Sequence, residues 1–213
     1  KLNETSLQFQ QRVTSQAIPT FLDRFSTMQA RQLYADDPAL VQVLDLIKTE
    51  FAYMDGVVDP PSTMHAMTLA GLKATAISAE IWVMGNPVIA CMILTPKPPV
   101  LYLGKLAVAG AHRGKGLSRR MIDHACLRAR ALGFDQVELG TRVELIQNQL
   151  AFESMGFIEV ARECHPGFDR PTSIVYRKDV SLAMEEATLK LNRRAPDEAR
   201  LKWAQDLATQ VGD

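Results

Sequence analysis

The sequence predicts an α/β fold in which a mixed, mostly antiparallel sheet is flanked by helices. An apolar, β-prone run over 100–108 passes through a glycine-containing loop into a long amphipathic helix. Two further strand patterns precede that run, each bounded by a turn containing proline. Helical and strand patterns alternate after the long helix. Taken in order, the elements read β-α-α-β-β-β-α-β-α-β-β.

Length and composition indicate an ordinary globular domain. The 213 residues suit one domain at 31–180, with helical extensions at 1–30 and 181–213. Lys plus Arg and Asp plus Glu both number 24, so the balanced charge favours neither nucleic acid nor an anionic membrane as partner. Three cysteines without metal-ligand spacing and no apolar run of membrane-spanning length indicate a reducing, cytoplasmic setting.

The N-terminal half begins with short helices that Pro19 interrupts. Residues 32–34 form a first strand, and Asp36-Asp37-Pro38 starts a helix that runs to about Ala52. After a loop rich in Asp, Gly and Pro, Ser62 or Thr63 is predicted to cap a second helix that ends near Lys73.

Three strands are then predicted to form an antiparallel meander, at 76–83, 88–94 and 100–108. In the first of them, Ile77, Ala79, Ile81 and Val83 make the apolar face. After the long helix that starts at Leu117, the pattern predicts a strand at 136–139 ending at Gly140, a helix at 146–155, and two paired strands at 157–162 and 172–177.

The loop Arg113-Gly114-Lys115-Gly116-Leu117-Ser118 is suited to an anion. It lies where the first turn of the long helix leaves backbone N–H groups without partners. Glycine allows a phosphate to approach the main chain, and Arg113 and Lys115 add cationic donors. The spacing fits neither the P-loop nor the dinucleotide-binding fingerprint, whose third glycine position is Arg119 here.

This stretch resembles motif A of the GCN5-related N-acetyltransferase (GNAT) superfamily, Arg/Gln-x-x-Gly-x-Gly/Ala after a strand ending in Val. Here the pattern is Val108, Arg113, Gly116 and Ser118, with serine in place of the usual Gly or Ala. A second motif of the family, Asn-x-x-x-Tyr-x-x-x-Gly-Phe, resembles 148–157. The predicted element order is also that of the family, and the resemblance covers about 31–180.

The resemblance implies acetyl-coenzyme A as co-substrate, with its pyrophosphate on the main chain of the loop. The pantetheine arm is expected to lie along the strand before the loop. The residues implied to bind the cofactor are Leu106, Ala107, Val108, Arg113, Gly114, Lys115, Gly116, Leu117, Ser118, Asn148 and Phe152.

The implied reaction is direct attack of an amine on the thioester, with a main-chain N–H near Leu106 or Ala107 stabilising the oxyanion. The position where many members carry a tyrosine acid is Phe152, and the strand over 101–105 carries no carboxylate base. The catalytic residues therefore stay open. Four side chains are considered for them: Tyr102, Glu80, Glu138 and Glu144.

The acceptor is expected to be an amine of a small molecule or a protein. The resemblance implies that the loop carrying Tyr53, Asp55 and Asp59 lines the acceptor site. Two acids beside an aromatic ring suit a cationic amine, so Asp55 or Asp59 is predicted to attract it. No metal is expected, because His65, His112, His124 and His165 have no ligand spacing. Homodimers are common among relatives. Two other interpretations stay open: a coenzyme A-binding module without turnover, and an interaction protein that acts through its terminal helices.

Overall fold

A computed structural model describes residues 29–181. The helical extensions predicted at the two ends lie outside the described residues, apart from residues 29, 30 and 181 at their inner boundaries. The described part contains seven strands and four α-helices in the predicted order, β-α-α-β-β-β-α-β-α-β-β. The predicted fold class is confirmed.

The strands form one sheet with the order β1-β2-β3-β4-β5-β7-β6. Strand β4 pairs in parallel with β5, whereas β1 with β2, β5 with β7, and β6 with β7 are antiparallel. The strands are β1 (Arg31–Leu33), β2 (Glu80–Met84), β3 (Ala90–Lys97), β4 (Val100–Val108), β5 (Gln136–Arg142), β6 (Ile158–Glu163) and β7 (Ser173–Asp179).

The helices are α1 (Leu40–Phe51), α2 (Leu69–Ser78), α3 (Leu117–Ala131) and α4 (Ile146–Ser154). Short 3₁₀ turns follow α1 at Ala52–Met54, precede α2 at Thr63–Ala66, and precede the glycine loop at Gly110–His112. Gly133, with φ of 79°, follows the end of α3 and gives it the left-handed residue that commonly terminates a helix.

Within 29–181 the chain divides into two compact units. The first comprises 29–53, 63–93 and 105–121, and the second comprises 54–62, 94–104 and 122–181. The core of the first unit combines the apolar face of α1 and Leu72 of α2 with inward residues of β1, β2 and β3. Its fully buried members include Leu33, Leu40, Val43, Ile47, Ile81 and Cys91.

The second unit has its own buried residues. Val137 and Leu139 on β5 and Tyr176 on β7 are at most 1% exposed. Leu139 and Tyr176 are direct partners across the strand pair, so their side chains share one face of the sheet. The rings of Phe152 on α4 and Tyr176 lie 6.4 Å apart, which places α4 against that face.

The second helix and the strand after it differ from the prediction. Thr63 begins only a 3₁₀ turn, and the cap of α2 is Thr68, whose Oγ1 accepts a hydrogen bond of 3.0 Å from the Gly71 N–H. Because α2 continues to Ser78, Ile77 is helical and 81% exposed, and does not belong to the apolar face of a strand. Only Ile81 and Val83 hold that face.

Four ends of three other strands also differ. Strand β3 starts two residues later than predicted and continues through Pro96 and Lys97. Strand β5 does not end at Gly140 but pairs with β7 as far as Arg142. Strand β7 likewise runs to Asp179. Pairing with a neighbouring strand extends these ends beyond the point where the local pattern stops.

Candidate functional site: the glycine loop and its surroundings

The glycine loop lies between β4 and α3, as predicted. Gly114 and Gly116 adopt φ of 72° and 75°, a left-handed conformation that glycine takes without a steric penalty. A Cβ atom at either position would meet no atom within 4 Å. The Arg120 N–H donates to the Gly116 carbonyl at 3.1 Å, so helical hydrogen bonding begins here and the amides just before Arg120 have no partner within the helix. The loop therefore presents backbone donors beside open space.

The two cations of the loop are used differently from the prediction. The Arg113 guanidinium forms an ion pair with Glu50, at the end of α1, and Lys115 Nζ donates to the Ala111 carbonyl at 3.0 Å. Glu50 also accepts a hydrogen bond of 2.8 Å from the Gly110 N–H. The ion pair of Arg113 with Glu50 thus holds residues 110–113, the segment that leads into the loop, and the charge of Arg113 is already paired.

Strand β4 is irregular just before the predicted arm-binding residues. Lys105 has φ of 52°, and the alternation of buried and half-buried residues fails at Gly104, Lys105 and Leu106. A break of this kind in a strand turns one or two main-chain groups away from regular pairing. Ala107 and Val108 are then buried again, and Leu106 is half-buried.

Tyr102 lies in the second unit, opposite Glu138 in the parallel β4–β5 pair. Burial raises the pKa of the Tyr102 hydroxyl, and the negative charge of Glu138 raises it further. Glu138 itself accepts a hydrogen bond of 2.8 Å from Arg177 Nε. Tyr102 therefore stays protonated near neutral pH, where it can donate a hydrogen bond but cannot act as a base.

Phe152 packs in the second unit, with its ring centroid 6.1 Å from that of Phe157 in an edge-to-face arrangement. The Tyr176 hydroxyl, close to Phe152, donates to Glu153 at 3.0 Å. Asn148 lies in the first turn of α4 and is half-buried. The roles of Phe152 and Asn148 in cofactor binding remain predictions.

Asp59 belongs to a cluster of charged side chains in the second unit. Its carboxylate pairs with Arg170 at 2.7 Å, and its N–H donates to Glu144 at 3.3 Å. Next to it, Arg142 contacts His165 at 2.9 Å and also donates to the Pro60 carbonyl. Burial lowers the pKa of His165, and the positive charge of Arg142 lowers it further. Asp59 is therefore not an isolated acid, and Arg170 already offsets its charge.

The other predicted residues are more dispersed. Asp55 is exposed in the second unit, and Tyr53 is 50% exposed in the first. Glu80 accepts a hydrogen bond of 2.8 Å from Trp82 Nε1.

Among residues 29–181 no group of three His, Cys, Asp or Glu side chains is placed to hold a metal ion. No helix in the same range is long and apolar enough to cross a membrane.

Sequence reasoning missed Glu50 and Lys105. Glu50 is 63 residues from Arg113, and nothing in a local pattern links the two. Lys105 is not indicated by the family pattern, because the base expected on this strand is a carboxylate. An interruption of the apolar alternation at Gly104-Lys105 was the available signal.

Comparison with known proteins identifies the family. The sequence profile of the acetyltransferase (GNAT) family matches residues 42–157, more than half of the chain. A search of curated proteins by sequence found no match.

Solved structures share the fold. An acetyltransferase from Streptococcus agalactiae 2603 is similar with a TM-score of 0.56 and 19% identity, covering 72% of this chain and 98% of its own. A GNAT family acetyltransferase from Elizabethkingia anophelis, with acetyl-CoA bound, is similar with a TM-score of 0.52 and 15% identity over 72% and 98%. Aminoglycoside 6′-acetyltransferase type Ii has a TM-score of 0.58 and 15% identity over 72% and 98%.

The strand, the glycine loop and the helix after it all lie within the matched residues, and the element order is the one that the resemblance implies. The chain belongs to the acetyltransferase (GNAT) family, whose enzymes use acetyl-coenzyme A as acyl donor.

Proposed function

We propose that the chain is an N-acetyltransferase that moves an acetyl group from acetyl-coenzyme A to a primary amine of a small molecule or a protein. The amine attacks the thioester directly while both reactants are bound. One observation carries this proposal: two left-handed glycines, with open space at their Cβ positions, precede the N-terminus of α3 in the matched part of the chain.

The diphosphate of the donor would accept hydrogen bonds from main-chain N–H groups of the loop 113–118. Main-chain amides and the helix dipole at the N-terminus of α3 both favour an anion there. Because Arg113 is paired with Glu50, its contribution is to hold the loop in shape. The acetyl-coenzyme A bound in the Elizabethkingia anophelis neighbour supports this choice of ligand.

The pantetheine arm would lie along Leu106, Ala107 and Val108 and take main-chain hydrogen bonds from them. The irregularity at Lys105 supports this placement, since a break of this kind turns main-chain groups away from regular strand pairing, and it lies directly before Leu106. An N–H of Leu106 or Ala107, aimed at the carbonyl oxygen, would stabilise the oxyanion; loss of one such donor costs other enzymes about 100-fold to 1,000-fold in rate.

The departing thiolate has no acid at Phe152. Coenzyme A is a tolerable leaving group, since an ordinary thiol has a pKa of about 8.5. The proton released from the attacking nitrogen can therefore reach the sulfur through water. Asn148 and Phe152 stay in this proposal as residues that contact the arm, each on α4 of the second unit.

Two measurements test the function. Titration calorimetry with acetyl-coenzyme A should show binding, and free-thiol release across a panel of primary amines should show turnover for at least one of them. Absence of binding would contradict the proposal outright. Binding without thiol release for any amine would favour a second function, a coenzyme A-binding module without turnover, which the phenylalanine at 152 makes a specific alternative.

Asp55 and Asp59 are proposed to attract a cationic acceptor beside Tyr53. Asp55→Asn should raise the KM for the acceptor about threefold to tenfold, because a surface charge contributes about 1 kcal/mol. The change for Asp59→Asn should be smaller, because Arg170 offsets that charge. Asp45→Asn, on the exposed face of α1, is the matched control and should leave KM unchanged. An unaltered KM in both Asp55→Asn and Asp59→Asn would contradict this role.

A further inference from the structure

Lys105 has an unusual backbone conformation. It is the one non-glycine residue of 29–181 with a positive φ, at 52°. A residue with a Cβ atom loses about 1 kcal/mol or more of conformational free energy in this left-handed region, whereas glycine does not. Strain of this kind is often found at functional sites, where the surrounding structure maintains it. The strained backbone therefore indicates Lys105 as a candidate functional residue.

The Lys105 side chain is held by neutral groups. Its Nζ donates to Thr63 Oγ1 at 3.0 Å and lies 5.9 Å from the centre of the Phe51 ring. Burial lowers the pKa of the ammonium, and no carboxylate of the described residues counteracts the shift. An ammonium in such surroundings loses its proton more readily than an exposed lysine does.

The elements packed around Lys105 bring few charges to it. Cys91 of β3 has its Sγ 3.8 Å from the Lys105 carbonyl oxygen, and burial raises the pKa of that thiol to about 12, so it stays neutral. Glu50, next to Phe51 in α1, directs its carboxylate to Arg113 and Gly110. His65 is the titratable group on the 3₁₀ turn that carries Thr63.

Lys105 immediately precedes the main chain at 106–108, where the thioester arm is proposed to lie. Building on the proposed amine transfer, we propose that Lys105 is the general base of the reaction, and that its neutral amine takes the proton from the acceptor ammonium. The geometry that carries this is a lysine at the break in β4, oriented by Thr63 and Phe51 and lacking an acid partner.

The protons balance in this scheme. Acceptor ammonium and neutral Lys105 become neutral amine and Lys105 ammonium. The amine nitrogen then bonds to the thioester carbon, the carbon–sulfur bond breaks with its electron pair on sulfur, and the second nitrogen proton passes to the thiolate. Lys105 returns its proton to water. The products are the acetamide, the free thiol and one released proton.

Other polar groups fit this task less well. Tyr102 has a raised pKa and stays protonated. Glu80 accepts a hydrogen bond from Trp82, and Glu138 is paired with Arg177. The remaining residues of β4 are apolar or glycine. Lys105 is therefore the side chain of β4 whose surroundings favour the proton-accepting form.

Substitutions at Lys105 distinguish a general base from a side chain that acts only through its positive charge. Lys105→Arg keeps the charge but has a guanidinium that does not give up its proton. If Lys105 is the base, kcat should fall about 100-fold in both Lys105→Arg and Lys105→Met, the usual range for general base catalysis, with little change in the KM for acetyl-coenzyme A. Lys48→Met, on the exposed face of α1, should match wild type. Lys105→Arg retaining more than a tenth of the activity would overturn the proposal.

The pH profile gives an independent test. With an acceptor amine of high pKa, which arrives as an ammonium throughout the range, the wild-type kcat should rise with pH through one group on the acid side, and Lys105→Arg should lose this limb. An unchanged limb in Lys105→Arg would overturn the proposal. NMR titration of ¹³C-labelled lysines in wild type, assigned with Lys105→Arg, should place one lysine below the ordinary value. A Lys105 whose pKa is not below the ordinary lysine value would overturn the proposal.

Thiol release by wild type distinguishes a failure of the proposed amine transfer from a failure of the proposed role of Lys105. If wild type itself releases no thiol with any amine, the amine transfer is wrong, whereas a wild type that turns over and a Lys105→Arg that equals it contradicts only the role of Lys105.

Discussion

Single glycines determine the shape of the phosphate-binding loop, and their effect on stability can be separated from their effect on binding. Gly116 and Gly133 have nearly equal φ of 75° and 79°, and a Cβ at either would meet nothing within 4 Å. Gly133 ends α3, far along the chain from the loop. The two positions form a matched pair for substitution.

Gly116→Ala and Gly133→Ala should each destabilise the protein by about 1 kcal/mol, because both force alanine into the left-handed region. Gly116→Ala should in addition weaken acetyl-coenzyme A binding, since its methyl group occupies the space proposed for the diphosphate. Thermal melting measures the first effect, and calorimetry with the cofactor measures the second. Equal affinity in the two variants would contradict a diphosphate at Gly116.

Residue identities were predictable from the sequence where a local motif specifies them, and not where a distant partner does. The spacing of Arg113, Gly114 and Gly116 predicted the loop correctly. The ion pair of Arg113 was not predicted, because its partner Glu50 is 63 residues away. Asp59 shows the same limit, since Arg170 is 111 residues away.

Elements were predicted well in type and order, and less well at their ends. Helix α2 illustrates the reason. Thr63 and Thr68 can both cap a helix, and the sequence does not say which one adopts the extended backbone that a cap requires. The structure has that conformation at Thr68, with φ of −126° and ψ of 160°, which moves the helix by several residues and makes Ile77 helical.

The contact between α1 and the approach to the glycine loop gives a prediction at the level of elements. Glu50→Ala removes the acceptor of both the Gly110 N–H and the Arg113 guanidinium, and should destabilise the first unit by about 1–2 kcal/mol. It should also weaken cofactor binding, because the loop loses its support. Urea denaturation and calorimetry measure the two effects.

Glu50→Gln is the control for this prediction. Its amide oxygen can still accept from Gly110, so it should recover most of the stability while losing the ion pair, which is largely exposed on the arginine side. If Glu50→Ala binds acetyl-coenzyme A as wild type does, α1 does not support the loop.

For the molecule as a whole, the alternation of strand and helix patterns was sufficient to predict the fold class. The division into two compact units was not predicted. Three of its five boundaries fall inside a strand or an α-helix: in β3 between residues 93 and 94, in β4 between 104 and 105, and in α3 between 121 and 122. The helical periodicity of α3 runs through its boundary without interruption, so the two units are a property of three-dimensional packing that this local pattern does not report.

Alkaline pH should destabilise the whole protein through its buried thiols. Burial raises the pKa of Cys91 from 9.0 to about 12. Between these values the unfolded chain releases the proton while the folded chain retains it, so stability falls as pH rises, by up to about 1.4 kcal/mol per pH unit for one group. Below pH 9 the thiol is protonated in both states and has no effect.

The test compares Cys91→Ala with Cys164→Ala, which removes an exposed thiol. Urea denaturation between pH 8 and 10 should show a shallower loss of stability in Cys91→Ala than in Cys164→Ala. Burial also raises the pKa of Tyr176, to about 12, but both variants keep this residue, so it contributes equally to the two slopes. Part of the slope should persist, because burial also raises the pKa of Cys126. Identical slopes in the two variants would mean that Cys91 ionises as readily in the folded protein as in the unfolded chain, and that the core of the first unit does not exclude water from it.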